Sequence, residues 1–236
     1  HPRVSVIIPC LNSEALIEEC LFSIKNQTYP SIEIIIIDGG STDRTVDIAM
    51  KYGQLHNFKR EPHMVWGTPF QQNFGASIAK GKYVYFVDTD MVLPKNAIES
   101  YVARIEADDA DSLIVPEISY GEGLWAKCKI LERSSYLLGD HSIEAPRFHK
   151  KEVFWDALGG VDPEMGGQYD WDLHARLRLN GFKVTRSKVA ILHNERKLGL
   201  RWLIYKKYTY GRSFKEYFRK YRNDKRLYTD QYNPIR

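Results

Sequence analysis

The sequence lacks the features that mark membrane-spanning, disulfide-stabilised and repetitive proteins. No apolar run reaches the ~18 residues that a helix needs to cross a bilayer. There are only three cysteines, an odd number without CxxC spacing, so neither a disulfide framework nor a zinc site is indicated. The chain also has no internal repeat, low-complexity segment or evident linker. These absences favour a globular protein of a reducing compartment, and we expect a cytoplasmic location.

The composition is that of an ordinary globular protein with an uneven charge distribution. The 236 residues are 43% hydrophobic and 27% charged, which suits one large domain or two small ones. The segment from Arg196 to Arg226 contains twelve Lys or Arg and two acids, which gives it a charge of +10. Since the net charge of the chain is +4, the rest of the chain carries −6. Such local basicity predicts contact with a surface or a partner.

Apolar strands alternate with amphipathic helices over the first half of the chain. VSVIIP, IEIIIIDGG and YVYFVD are short apolar runs typical of buried strands. Helical spacing follows Ser13, a second helix is predicted to open at Ser41 or Thr42, and a third lies in TPFQQNFGASIAKG. This alternation predicts an α/β fold, a mostly parallel sheet with helices on both faces.

The second half has a less regular pattern. After a helix that begins near Pro94, we expect one extended run in SLIVPEISY, an edge strand in APRFHKKEVFWDALGG, a helix in WDLHARLRLNG and a final strand in KVTRSKVAILHNE. The last segment combines aromatic and basic residues in a long amphipathic stretch. We therefore expect two units, an α/β domain over residues 3–195 and a basic, aromatic-rich helical extension over residues 196–236.

Polar side chains follow three of the predicted strands. Asn12 follows the first strand, Asp38 the second, and Asp88 and Asp90 follow YVYFV with Thr89 between them. In open α/β sheets, ligands bind beyond the carboxyl ends of the strands. Two carboxylates about 7 Å apart suit Mg²⁺ or Mn²⁺, which usually take further ligands from substrate phosphates. A helix cap and a solvated side chain are the alternative explanation of the pair.

The same residues allow a second function. A strand followed by Asp-x-Asp-x-Val resembles the nucleophile motif of haloacid-dehalogenase-type phosphohydrolases, with Asp88 as the nucleophile. GDHSIE, residues 139–144, loosely resembles their later acidic motif. That nucleophile normally ends the first core strand, whereas at least two strand and helix pairs precede Asp88 here. The order of elements therefore counts against this alternative.

Three longer segments carry motifs in a recognisable order. VSVIIPCLNSEALIEECLFSIKNQTYP looks like an opening strand and helix, IEIIIIDGGSTDRT is similar to hDDGSxDxT with Gly39 in place of the second Asp, and QQNFGASIAKGKYVYFVDTD is similar to RNxGxxxAxGxYhxFhDxD. Together they resemble glycosyltransferase family 2, the inverting nucleotide-sugar transferases. The resemblance covers about residues 4–195. It implies a GT-A type (Rossmann-like) fold, a GDP- or UDP-sugar donor, and Mn²⁺ or Mg²⁺.

The resemblance also implies roles for individual residues. Asp88, Asp90 and, as in part of the family, a later histidine, His193, would hold the metal, although a lone histidine is more often a packing or capping residue. Val92 cannot ligate a metal through its side chain. The nucleotide-sugar contacts would be Pro9, Leu11, Asn12, Glu14, Asp38, Asn73, Asp88, Thr89 and Asp90.

A catalytic base is implied in GGQYDWDLHARLRLNGF. The segment resembles the family pattern E-D-x-D-L-x-x-R-L, with Tyr169 in place of the Glu. Asp170 would then remove a proton from the acceptor hydroxyl. From the residues alone, an N-cap is the favoured explanation of Asp170. Asp172 is expected to be structural, as an acid in the first turn of a helix. A lipid-phosphate acceptor would need no base.

The basic segment leaves the acceptor and the location open. Interleaved aromatic and basic residues resemble an interfacial helix on anionic headgroups, which suggests peripheral contact through 196–226 with the cytoplasmic membrane face and a lipid-linked acceptor. A C-terminal helix packed on the sheet, with one solvated face, is the other interpretation. We expect a glycan or lipid-linked acceptor. We expect no nucleic-acid partner, since no recognition motif is present. A non-catalytic nucleotide-sugar binding protein remains an alternative function.

Overall fold

The computed structural model describes residues 1–59, 61, 64, 67–138, 144 and 146–224. The strands of this part are β1 (Val4–Cys10), β2 (Ile32–Asp38), β3 (Gln54–Asn57), β4 (Tyr83–Phe86), β5 (Met91–Val92), β6 (Ser112–Ile114), β7 (Glu117–Glu122), β8 (Pro146–Lys150), β9 (Val184–Arg186) and β10 (Ile191–Lys197). The α-helices are α1 (Ile17–Lys25), α2 (Thr45–Ala49), α3 (Gly67–Ile78), α4 (Ala97–Ala107), α5 (Leu124–Leu138), α6 (Tyr169–Leu179) and α7 (Leu200–Tyr221). A π-helical turn (Glu152–Ala157) and a 3₁₀ segment (Pro163–Gln168) precede α6.

The strands form two sheets. The larger sheet has the order β3-β2-β1-β4-β8-β6-β9, and the smaller has the order β5-β10-β7. In the larger sheet β3, β2, β1 and β4 are parallel, and only β8 runs antiparallel to its neighbours. The predicted α/β fold with a mostly parallel sheet is therefore confirmed.

Both faces of the central sheet are buried. Along β1, Val6 and Ile8 join one apolar cluster together with Leu21 of α1, while Ile7 joins a second cluster with Ala76 of α3. Side chains of a strand alternate between the two faces of a sheet, so one apolar strand supplies both clusters. This is why the continuous apolar runs predicted a doubly covered sheet.

Three strands differ from their predictions. SLIVPEISY is divided, since β6 ends at Ile114 in one sheet and β7 begins at Glu117 in the other. Pro116 lies at the break and has no N–H for a ladder. KVTRSKVAILHNE is likewise divided into β9 and β10, and the hydroxyl of Ser187 accepts the N–H of Val189 in the connecting turn. The predicted edge strand β8 lies between β4 and β6, because its central side chains are fully buried and require neighbours on both sides.

The first two helices begin later than predicted. α1 starts at Ile17, and the carbonyl of Ser13 accepts the N–H of Ile17, so Ser13 contributes its backbone and not a side-chain cap to the preceding turn. α2 has only five residues. Asp43, rather than either predicted hydroxyl residue, accepts the N–H of Thr45 at 3.0 Å. In both places a loop between strand and helix takes residues that periodicity alone assigned to the helix.

The basic segment forms α7, which packs on the 3₁₀ segment Pro163–Gln168. Its last turn is fastened to Asp172, whose fully buried carboxylate accepts a hydrogen bond from Tyr221 Oη at 2.7 Å and pairs with Lys220 Nζ at 2.7 Å. Asp172 thus holds α6 to α7. No helix in the described ranges is long and apolar enough to cross a membrane. Residues 225–236 of the predicted extension lie outside the described residues.

Candidate active site

A cavity of about 730 Å³ lies at the carboxyl ends of β1, β2 and β4. Parallel pairing sets Cys10 opposite Asp38, so the loops after β1 and β2 leave the sheet side by side. Pro9 and Leu11 from the first loop and Thr89 after β4 line the cavity. Its other walls come from β7, β10, residues 167–171 and one side of α7. The cavity is therefore at the sheet edge where the sequence predicts ligand binding.

Asn12 and Glu14 tie the loop after β1 to the loop after β2. Asn12 Oδ1 accepts the N–H of Thr42 at 2.8 Å, and Glu14 Oε2 accepts the N–H of Arg44 at 3.1 Å. Asn12 has φ of 48°, a left-handed conformation that Asn tolerates. Neither side chain is among those that line the cavity. In this structure they shape the loops that carry Leu11 and Gly39.

Asp38 lies behind the cavity wall. It is 3% exposed, and its carboxylate accepts the backbone N–H groups of Gly40 at 2.9 Å and Ser41 at 3.0 Å. The next residue, Gly39, lines the cavity in its place. The side chain thus stabilises the tight turn after β2. Stabilising this turn is a structural role that would by itself explain an Asp at position 38, where the sequence predicts a nucleoside contact.

Asn73 is also directed away from the cavity. Its amide donates to the carbonyl of Val161 at 2.8 Å and accepts the N–H of the same residue at 2.9 Å. Gly160, which precedes Val161, has φ of 82°, and a Cβ there would lie 2.3 Å from Asn73 Oδ1. Asn73 therefore fastens α3 to the loop after the π-helical turn. The neighbouring Gln71, which the sequence did not single out, lines the cavity.

Asp88, Thr89 and Asp90 lie together at the cavity wall after β4. Asp88 Oδ2 accepts a hydrogen bond from Arg147 Nη1 at 3.1 Å. Asp90 Oδ2 lies 3.4 Å from Nε2 of His193. The structure therefore brings together two predicted metal ligands, Asp90 and His193, across 103 positions of sequence, and holds the third, Asp88, against an arginine.

These donors fit a divalent cation. Asp90 Oδ1 is buried and has no hydrogen-bond partner in the described part of the chain, so it is an anionic oxygen available for coordination. Within the described residues no three His, Cys, Asp or Glu side chains stand close enough to form a complete metal site. Mg²⁺ and Mn²⁺ commonly take one or two protein carboxylates and complete their shell with substrate phosphates. The incomplete set is therefore suited to a cation that enters with a phosphate ligand.

His193 is oriented by Glu117. Its Nδ1 lies 2.8 Å from Glu117 Oε2, which directs Nε2 toward Asp90. Burial by itself would lower the pKa of His193, but the hydrogen bonds with Asp90 and Glu117 raise it to about 9. Burial likewise disfavours the charge of Asp90, and His193 outweighs it by holding the pKa of that carboxyl below its usual value. Asp90 and His193 therefore stabilise each other's charged form.

A buried charge network supports the cavity floor, and the sequence did not predict it. Glu117 accepts bonds from Arg147 Nη2 at 2.8 Å and from Arg133, while Arg133 Nε lies 2.9 Å from Glu195 Oε1. Burial opposes the charge of Glu117, but Arg147, His193 and Arg133 hold its pKa well below the usual range. One signal was available, since Glu117 follows the apolar run SLIVP as Asp88 follows YVYFV.

Asp170 also lines the cavity, in the first turn of α6. It is not the N-cap, which is Gln168, and its Oδ1 accepts the N–H of Trp171 at 2.8 Å. Burial raises its pKa from 3.8 to about 6, although this hydrogen bond and Arg147 oppose the shift. A carboxylate of this kind can accept a proton near neutral pH.

Residues of α3 and α5 also line the cavity, and one side of α7 forms a further wall. Residues that the sequence assigns to a basic extension line the cavity, namely Leu203, Lys206, Lys207, Tyr210, Gly211 and Phe214. The amphipathic pattern indicated a helix with one covered side, but it could not indicate what covers it. The contact with the cavity follows from the return of α7 onto Pro163–Gln168.

The sequence of this chain matches a known protein family. The family described as Glycosyl transferase family 2 matches residues 5–158. "Glycosyltransferase GlyG" of Streptococcus pneumoniae serotype 4 is 36% identical over 121 residues, 50% of this chain and 40% of GlyG. "Poly(ribitol-phosphate) beta-N-acetylglucosaminyltransferase TarP" of Staphylococcus aureus is 28% identical over 166 residues, 64% of this chain and 50% of TarP. The matches thus span half or less of these relatives.

Solved structures share the fold. S. aureus TarS in complex with UDP-GlcNAc superimposes with a TM-score of 0.66 at 23% identity, over 84% of this chain and 60% of that one. The mannosyltransferase PcManGT from Pyrobaculum calidifontis, in complex with GDP-Man and Mn²⁺, gives a TM-score of 0.72 at 20% identity, over 93% of this chain and 65% of that one. At these identities the likeness establishes the GT-A type fold alone.

Proposed function

The chain belongs to glycosyltransferase family 2, and we propose that it transfers a sugar, with inversion, from a nucleotide-diphosphate donor to an acceptor. The observation that carries this proposal is that one cavity is lined both by Asp88, Asp90 and His193 and by Asp170. A cation-binding cluster and a carboxylate base meet the two needs of the reaction, which are to neutralise the leaving diphosphate and to deprotonate the attacking hydroxyl. Complexes of the structural neighbours with UDP-GlcNAc and GDP-Man support a UDP- or GDP-sugar as the donor.

On the donor side, loop residues would surround the nucleotide. Pro9, Leu11 and Thr89 would contact it directly, because they line the cavity. The other predicted contacts would act mainly by holding the loops in place, since their polar groups are bonded to backbone in this structure; they are Asn12, Glu14, Asp38 and Asn73.

Asp88, Asp90 and His193 would hold Mn²⁺ or Mg²⁺, which supplies the positive charge that neutralises the departing nucleoside diphosphate. Asp90 offers a buried oxygen without a partner among the described residues, and Glu117 fixes the orientation of the His193 imidazole. Arg147 keeps the Asp88 carboxylate at the cavity wall through its 3.1 Å hydrogen bond. The Mn²⁺ complex of PcManGT supports a divalent cofactor.

Asp170 would act as the general base. Its raised pKa of about 6 leaves it ionised near pH 7 yet basic enough to accept the proton of an acceptor hydroxyl. The hydroxyl would attack the anomeric carbon from the side opposite the leaving diphosphate, which inverts the configuration. The acceptor would be a glycan or a lipid-linked glycan.

We further propose that the exposed side of α7 contacts an anionic membrane. We call this surface the outer side of α7; it comprises Leu200, Trp202, Ile204, Tyr205 and Tyr208, which are 43%, 47%, 59%, 67% and 64% exposed. Basic residues surround it, and the combination suits anionic headgroups. Because other residues of α7 line the cavity, a membrane contact would bring a lipid-linked acceptor close to Asp170. Residues 225 and 226 of the predicted contact lie outside the described residues.

The donor site can be tested by thermal unfolding with nucleoside diphosphates and their sugars, with Mn²⁺ or with EDTA. A ligand at ~100 times its dissociation constant adds about 2.7 kcal/mol to stability. We expect stabilisation by one nucleoside diphosphate in wild type, loss of its metal dependence in Asp90→Asn, and no effect of Asp47→Asn, a change at an exposed carboxylate of α2. No response to any nucleotide would overturn the donor-site proposal.

Turnover assays separate the alternatives. A transferase releases nucleoside diphosphate in the presence of acceptor, and Asp170→Asn should slow that release by about 10²- to 10⁴-fold while nucleotide binding persists. Normal binding of nucleotide and metal without turnover of any acceptor would favour the non-catalytic binder. Hydrolysis of an aryl phosphate through Asp88 would favour the phosphohydrolase. Family membership and the position of β4 after three strand and helix pairs weigh against the phosphohydrolase. Its second motif, at 139–144, falls almost wholly outside the described residues.

A further inference from the structure

The cations that line the cavity have acidic partners, with one exception. Lys129 and Lys207 pair with Glu132, Arg133 pairs with Glu117 and Glu195, and Arg147 pairs with Glu117 and Asp88. The exception is Lys206, which forms no ion pair or hydrogen bond with any residue that the structure describes. A partly buried ammonium without a counter-ion is unfavourable unless a ligand supplies one.

Lys206 is held by aromatic rings on α7. Its Nζ lies 4.8 Å from the ring centroid of Trp202, one turn before it, and 5.8 Å from that of Tyr210, one turn after it. These cation–π contacts orient the ammonium but do not neutralise it. The side chain is thereby fixed at the cavity wall, where its position does not depend on a carboxylate partner.

The charges around Lys206 locate it near the carboxylate cluster. Burial and the positive charge of Arg133 lower the pKa of Lys206, while Glu195, Asp90 and Asp88 oppose that shift. The ammonium is thus within electrostatic reach of Asp88 and Asp90, but it is bonded to neither. An anion bound between Lys206 and these carboxylates would be repelled by the carboxylates unless a divalent cation lay on their side. On the other side, the Lys206 ammonium supplies the positive charge.

We propose that Lys206 binds the diphosphate of the nucleotide donor from the α7 side of the cavity. The proposal rests on the proposed function, because it names the ligand group that the lysine contacts at the same site. A compact ammonium is suited to phosphate oxygens. Helix α7, assigned by the sequence to a separate extension, then becomes part of the donor site. Lys206 would also stabilise the negative charge that develops on the diphosphate as the sugar departs.

The test is calorimetric binding, which does not require turnover. Wild type, Lys206→Met, Lys206→Arg and Lys25→Met are titrated with uridine, UMP and UDP and with guanosine, GMP and GDP, each with Mn²⁺ and with EDTA. Met keeps the apolar stem against Trp202, Arg keeps the charge, and Lys25 is an exposed lysine at the end of α1, away from the cavity.

We expect Lys206→Met to weaken binding of the preferred nucleoside diphosphate by about 10- to 100-fold, the size of a lost charge-assisted bond. Binding of the parent nucleoside should not change, Lys206→Arg should restore most of the affinity, and Lys25→Met should match wild type. Circular dichroism verifies that each variant is folded. If Lys206→Met does not fold, Lys206→Gln takes its place.

Equal diphosphate affinity in wild type and Lys206→Met would overturn the inference. A raised KM of that variant for a phosphate-bearing acceptor would then assign Lys206 to the acceptor. This result leaves the proposed function standing. If wild type binds no nucleotide at all, the proposed function itself fails, so the two failures are distinguishable.

Discussion

At the scale of single residues, Asp170 combines a place in the cavity wall with an electrostatic cost. Burial raises its pKa to about 6, so the folded protein holds its proton more tightly than the unfolded chain does. A carboxylate in this position destabilises the fold whenever it is ionised, and such a cost is common at active sites. Activity and stability should therefore respond in opposite directions to its removal.

Asp170→Asn should stabilise the protein in a pH-dependent way. Because the folded-state pKa exceeds the unfolded value of 3.8, wild type loses stability as the pH rises from about 4 to about 6, and it does not regain that stability at higher pH. The variant lacks this loss and should be more stable at pH 7 by up to about 3 kcal/mol. Urea unfolding from pH 4 to 8 measures the difference, with Asp47→Asn as the control. A difference that is the same at every pH would contradict the burial argument.

The proposed base role of Asp170 predicts a pH dependence of activity. If Asp170 is the base, kcat/KM for a hydroxyl acceptor should fall tenfold per pH unit below about pH 6, as the carboxyl becomes protonated. Asp170→Asn should lower kcat by about 10²- to 10⁴-fold and remove this acidic limb. A wild-type profile that stays flat down to pH 5, with the variant retaining activity, would remove the base role from Asp170.

The sequence identified polar residues suited to a site, but it did not identify which groups each side chain contacts. Asp88, Asp90, Asp170 and His193 all line one cavity. Asn73 and Asp38 are instead bonded to nearby backbone. The same polar side chain suits a ligand or a loop amide, and the sequence does not say which is nearer.

At the scale of elements, α3 lies very close to β1. A Cβ on Gly75 would be 2.4 Å from Ile7 Cγ2, a contact that side chains do not tolerate without displacement. Gly211 of α7 has no such reason to be glycine, since a Cβ there meets nothing within 4 Å. The two helical glycines therefore provide a matched pair.

Gly75→Ala should destabilise the protein by about 1–3 kcal/mol, through overpacking against β1. Gly211→Ala should instead stabilise it by about 0.5–1 kcal/mol, the helix propensity gained when nothing opposes the new methyl group. Urea unfolding of both variants at one pH compares them. Equal stabilisation by the two substitutions would mean that α3 can move away from the sheet at little cost.

The last turn of helix α7 is bonded to α6 through Asp172. Tyr221→Phe removes the 2.7 Å hydrogen bond to the buried carboxylate of Asp172 and should cost about 1–3 kcal/mol. The control is Tyr208→Phe on the outer side of α7, where the tyrosine is 64% exposed. This change should leave the free energy of unfolding almost unaltered. Thermal unfolding measures both. Asp172 has two other partners, Lys220 and Arg176, whose Nε lies 2.7 Å from Asp172 Oδ2. If the two variants unfold alike, these two cations satisfy Asp172 without Tyr221.

At the scale of the whole molecule, α7 has two sides with different surroundings. One side closes the cavity, and the outer side of α7 exposes apolar and aromatic side chains on the most basic segment of the chain. The net charge of +4 understates this asymmetry. Long-range attraction to an anionic surface depends on such a local excess of charge.

Binding to vesicles tests the membrane proposal. The protein should associate with vesicles containing anionic lipid more tightly than with zwitterionic ones, and less tightly as salt increases, because screening shortens the electrostatic range. Ile204→Glu and Tyr205→Glu should weaken the association. Met50→Glu, at an apolar residue that is 58% exposed after α2, should not. Equal affinity for both vesicle types would count against a headgroup contact.

The sequence by itself determined the class of fold and the edge at which the chemistry is placed. Alternating apolar runs and helical periods report which residues of each element are buried, and residues that follow a parallel strand must emerge at its carboxyl end. Asp88 and Asp90 after β4 were predicted on that ground, and they line the cavity.

Only the tertiary structure decided how distant segments meet. Three arrangements depend on it: β6 and β7 belong to different sheets, Glu117 pairs with Arg147 and Arg133, and α7 returns to the cavity with Lys206. The local sequence patterns of the segments involved are independent of one another. A local pattern records that a side chain is covered or charged, but its partner is selected by packing of the whole chain and by the entropy of closing the loops between them.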